Sequence, residues 1–148
     1  MIVRCLTPLA SLLVTVALMI GPAAAQAPAA CPSTDFKAFL AAFQDDVAVQ
    51  KAFTARPLQS EANQENPDAN GEPYINVTKM LDGDAIEFPV MGTAVQLRQE
   101  KLKLEVTRQD PAEAEIKIFL DDTDYQIRYF FKKTASCWQL YRMANDSL

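Results

Sequence analysis

Cysteine, tyrosine, aspartate and glutamate supply most of the nucleophilic and acid–base chemistry open to this 148-residue chain, which contains no histidine. Without histidine it lacks the commonest general base and the usual neighbour that lowers a thiol pKa. Asp46, Asp121, Tyr125 and Tyr129 remain as acid–base candidates. Asp121 belongs to a carboxylate-rich turn, Asp121 to Asp124, whose ordinary state is solvated. Neither that run nor the stretch from Leu81 to Asp84 has the alternating ligands, glycine and later glutamate of a calcium loop, so no metal is expected. The four glycines are dispersed and build no phosphate cradle, so no cofactor is expected either. No nucleophile has a visible partner, and no catalytic residue is assigned.

The cysteines speak to compartment. Arg4 precedes an apolar run from Leu9 to Ile20; Gly21 and Pro22 break it, and Ala23, Ala24 and Ala25 follow. This is the layout of a secretory signal peptide, residues 1–25, with cleavage after Ala25 or Ala27. The run is shorter than the roughly 20 residues of a membrane span, so no stable span is expected after cleavage. A lipoprotein anchored at Cys31 fits less well, because Pro28 stands where a branched apolar residue is usual. Losing the leader removes Cys5 and leaves Cys31 and Cys137, which pair most simply as a disulfide in a periplasmic or secreted protein. Trp138, the one tryptophan, is then a buried anchor beside the joint. The net charge of −5, with no basic run, argues against a nucleic-acid partner.

The elements that would position these residues form one domain, residues 31–148. Phe36, Phe39, Leu40, Phe43 and Val47 share one helical face, with Ser33 as the expected N-cap. A second short helix follows, and Pro57 is expected to close the helical region. Residues 57–62 are a candidate short strand and 63–73 a polar loop. Residues 74–81 and 85–91 have no assigned state, and 93–101 could be helix or strand. Further on, alternation places strands at Leu102–Thr107, Ile116–Leu120, Tyr125–Lys132 and Cys137–Met143, joined by short turns as an antiparallel meander. Asp110 and Pro111 suit the first two positions of a type I turn. Helices followed by a curved, mainly antiparallel sheet make an α+β domain.

The N-terminal residues Phe36, Phe39, Leu40, Phe43, Asp46, Gln50, Pro57 and Leu58 resemble a pattern of uncharacterised exported bacterial proteins. The ending from Tyr125 to Leu148 resembles the last two strands of the NTF2-like, cone-shaped superfamily. The likeness covers both ends of the chain and leaves out the middle. It implies an NTF2-like cone and leaves function open, because that superfamily joins isomerases, dehydratases, transport factors and binding domains. The reading favoured is a non-catalytic exported domain that binds a small molecule or an envelope protein. The alternatives are a small lyase, isomerase or hydrolase with an Asp/Tyr site in the cone, and a structural or assembly partner in the envelope. A homodimer through the sheet face is a further expectation.

Overall fold

In a computed structural model, residues 29–148 are described apart from residue 69, so the expected signal peptide lies outside the described residues. Helices α1 (Phe36–Asp45) and α2 (Val47–Phe53) lead into strands β1 (Thr54–Glu65) and β2 (Tyr74–Leu81). A single 3₁₀ turn (Gly83–Ala85) and helix α3 (Ala94–Gln99) follow, then β3 (Lys103–Gln109), β4 (Glu113–Phe119), β5 (Gln126–Lys133) and β6 (Trp138–Asn145). The six strands form one sheet in the order β2-β1-β6-β5-β4-β3, antiparallel throughout except where β1 runs parallel to β6. The expected α+β architecture and the C-terminal meander are both present.

The core forms where two periodicities meet. Helix α1 repeats its apolar residues every three to four positions, and β4, β5 and β6 repeat theirs mostly every second position. Phe36, Phe39 and Phe43 are fully buried against Phe131 of β5, with ring centroids 5.4, 6.0 and 5.3 Å away. Ala114 and Ile116 of β4 and Leu140 of β6 complete that floor. Such edge-on aromatic packing adds about 0.5–1.5 kcal/mol per pair beyond the burial itself. The sheet departs from regular pairing at three places: Thr54/Gln59, Val106/Arg108 and Phe130/Phe131. Each irregularity bends its strand and sharpens the local twist, which curves the sheet around α1.

Several boundaries differ from the sequence expectation. Asp35, not Ser33, caps α1: its carboxylate accepts from the Ala38 N–H at 2.9 Å. Ser33 lies one step too early, and its hydroxyl accepts from the Asp35 N–H at 3.0 Å, shaping the approach to the helix. The helical region ends at Phe53, before Pro57, and the strand that follows is twelve residues long rather than six. Pro57, which has no N–H to donate, falls inside the interruption of β1–β6 pairing, where none is required. Residues 63–65 belong to β1, so the polar loop shrinks to 66–73. Residues 74–81 are a strand paired to β1 over its whole length, and 94–99 are helix.

The first described segment and the last strand meet at the cysteines. Cys31 and Cys137 lie at bonding distance, their Cα atoms 5.5 Å apart, inside the range a disulfide needs. Beside them the Trp138 indole N–H donates to the Thr34 carbonyl at 3.1 Å, and its ring stands edge-on to Phe36 at 4.9 Å. The first described segment is thus tied to the last strand by a sulfur pair, a hydrogen bond and an aromatic contact.

Candidate ligand cavity

The concave face of the sheet is wider than α1 can cover. On β5, alternation turns Tyr129 to the same side as Phe131, and pairing sets it between Ile116 and Met143. The segment from Ile86 to α3 lies over this part of the sheet, with Ile86, Met91 and Leu97 buried.

That roof is held by groups distant in sequence. The Gln50 side chain on α2 is buried; its amide donates to the Met91 carbonyl at 2.8 Å. Its oxygen accepts from the N–H groups of Val90 at 2.7 Å and Met91 at 3.3 Å. Asp45 at the end of α1 accepts from the Ala94 N–H at 3.1 Å, anchoring the start of α3. Thr93 and Gln96 form a reciprocal capping box at the same point. At its other end α3 closes with a Schellman motif: the Leu102 N–H reaches the Leu97 carbonyl at 2.8 Å, and the Lys101 N–H reaches that of Arg98 at 3.2 Å. This turn requires a left-handed residue, Lys101 at φ 59°, and brings Leu102 round against Leu97.

Between roof and sheet lies a cavity of about 220 Å³. Leu97, Leu102, Ile118 and Pro89 give it apolar walls, and Gln96, Glu100, Tyr125 and Tyr129 bring polar groups to it. A second cavity of about 380 Å³, more apolar, runs from Leu58 and Leu81 past Ile86 to Met143, and Pro89 lines both. The Tyr129 ring is 4 % exposed. Burial pushes its hydroxyl pKa above the ordinary tyrosine value, and the neighbouring Tyr125 pushes it the same way. No described hydrogen bond uses this hydroxyl, and it is not sealed from solvent, so it opens onto the cavity.

Of the four acid–base candidates, the structure brings together only Tyr125 and Tyr129. Asp46 caps α2, accepting from the Ala48 N–H at 2.7 Å, which is a structural task. Asp121 sits exposed in its turn and pairs with Lys103 on the surface. Sequence reasoning missed Gln96, Glu100 and the positioning role of Gln50. Among the described residues, no three potential metal ligands cluster, and no helix is long and apolar enough to cross a membrane.

No family model and no curated protein matches the chain. Solved structures do. The chain is similar to an NTF2-like protein from Bacteroides fragilis, with a TM-score of 0.52 and 18 % identity, over 77 % of this chain and 47 % of that one. It spans about half the length of that protein. It is also similar to a protein from Bacteroides uniformis, with a TM-score of 0.46 and 23 % identity, over 76 % of each chain.

Proposed function

We propose that this chain, an NTF2-like domain by fold, is an exported, non-catalytic module that binds a small molecule in the cavity beneath α3. The Tyr129 hydroxyl carries the reading. A phenol whose ring is buried, whose hydroxyl is unpartnered among the described residues, and which lines a small cavity of mixed polar and apolar walls is a hydrogen-bond donor free to meet a ligand acceptor. Among the described residues no lysine or arginine lines that cavity, and Glu100 does, so the ligand is uncharged or cationic rather than anionic. Its size lies below the roughly 300–1,000 Å³ of drug-sized sites, which points to a compact ligand. The hydroxyl of Tyr129 holds its proton well past neutral pH, so it binds better than it exchanges protons. The bonding-distance pair Cys31 and Cys137 supports export to an oxidising compartment.

Calorimetric titration with small uncharged cyclic ketones and amides tests the site. Tyr129→Phe, which removes only the oxygen, should weaken any ligand found by about tenfold, the worth of one buried hydrogen bond. Unchanged affinity in Tyr129→Phe would refute the site. Intact mass of the exported protein tests the leader: a start between Gln26 and Pro28 is expected, and an acylated Cys31 would contradict it.

A further inference from the structure

The two edges of the sheet are built differently. Edge strand β3 carries Lys103, Glu105 and Arg108, all engaged in surface ion pairs, and its pairing with β4 is interrupted at Val106/Arg108. Charge and irregularity are the ordinary means of protecting a sheet edge from other chains. Edge strand β2 is less protected. Its eight residues, Tyr74 to Leu81, include one charge, Lys79, and pair with β1 without a break. Among the described strands nothing lies on its outer side. Tyr74 is 42 % exposed, Ile75 38 % and Met80 59 %. The inner neighbour does not explain these side chains either. Tyr74 stands opposite Glu65, Ile75 opposite Gln64, and Met80 opposite Gln59. Large apolar side chains in a regular strand thus face polar partners on the one side and solvent on the other.

We propose that β2 pairs antiparallel with β2 of a second copy of this chain, joining two six-stranded sheets across a two-fold axis. The strand is complementary to itself. In an antiparallel pair related by a two-fold axis, residues of the same face stand opposite each other. The register that sets Val77 against Val77 of the second copy brings Tyr74 opposite Met80 of that copy, and this contact occurs twice. Ile75 then lies along the aliphatic stem of Lys79 of the second copy, and Asn76 meets Thr78 of that copy. No acidic residue of β2 opposes another, which matters in a chain of net charge −5. The sheet's convex face, by contrast, is occupied by its own contacts. Glu61 lies 3.0 Å from Arg142, Arg142 stacks 4.1 Å over Phe130, and Arg128 pairs with Asp146 at 2.6 Å. In this arrangement the two copies meet at the sheet edge and not through the sheet face.

Sedimentation equilibrium of the purified protein over a wide concentration range tests this. The wild-type protein should dimerise reversibly. Tyr74→Lys sets a cation against Met80 at both ends of the pairing and should weaken the dimer by at least about tenfold. Adding Met80→Glu to that variant places opposite charges across the same two contacts and should restore the dimer. Both positions are exposed, so neither substitution threatens the fold, and circular dichroism checks that. A monomer at every concentration, a dimer indifferent to Tyr74→Lys, or no recovery in the double variant would each overturn the proposal.

Discussion

Replacing Gln50 by alanine should loosen the roof of the cavity and destabilise the domain together. The side chain satisfies the Met91 N–H and C=O and the Val90 N–H. Met91 is buried, so its two backbone groups gain no water when the amide is removed. Each buried orphan costs about 1–3 kcal/mol, while Val90, half-buried, recovers some hydration. The net loss is about 3 kcal/mol, which lowers the melting temperature of a domain this size by roughly 10 °C. Gln50→Glu separates the two halves of the clamp. A carboxylate still accepts from Val90, but it cannot donate to the Met91 carbonyl, and its charge is buried. The folded-state pKa of the introduced carboxyl should therefore rise above the unfolded value of about 4.3. A raised pKa means stability that is present below about pH 4.3 and is lost as pH rises through the folded-state value. Gln50→Glu should thus lie near the wild-type protein at pH 4 and well below it at pH 7, in melts compared at matched pH. A shift under about 2 °C for Gln50→Ala, or no widening of the gap for Gln50→Glu between those pH values, would refute the clamp.

Reduction of the exported protein, or Cys31→Ser, should cost about 4–5 kcal/mol by loop-closure entropy, read as a lower melting temperature; a count of two free thiols would remove the disulfide. Tyr129 should ionise only well above the ordinary tyrosine range, as read by phenolate absorbance. Because its pKa is raised, its contribution to stability is complete below about pH 10 and is lost as pH rises beyond it, and Tyr129→Phe should remove that part of the alkaline slope in urea melts. Lys101→Gly should stabilise the fold by about 0.5–1 kcal/mol in the same melts, because glycine adopts the left-handed Schellman position without a Cβ penalty.

The ends of the domain are legible in its sequence and the middle is not. The Phe36–Phe43 stripe and strands β4 and β5 of the meander are buried on one side, and one-sided burial is what periodicity records. Strand β2 is exposed almost throughout, so its apolar residues follow no period set by a core. Gln50 is a polar residue on a short helix, and its partners are backbone groups forty positions away, which no local pattern announces. Residue type alone places Tyr129 among the candidates. Alternation turns it inward, but alternation cannot tell a packed ring from one whose hydroxyl meets a cavity. That distinction depends on where α3 crosses the sheet, and so on Gln50, Asp45 and the Schellman turn at Lys101.

The cavity claim is tested most directly by amide chemical-shift mapping of the isotope-labelled protein against a mixture series of small uncharged cyclic ketones and amides. The account predicts saturable shifts centred on Gln96, Leu97, Leu102 and Tyr129, which in Tyr129→Phe need about tenfold more ligand to saturate while the rest of the spectrum is unchanged. Saturable binding whose shifts centre away from these residues, or shifts there that saturate at the same ligand concentration in Tyr129→Phe, would contradict it.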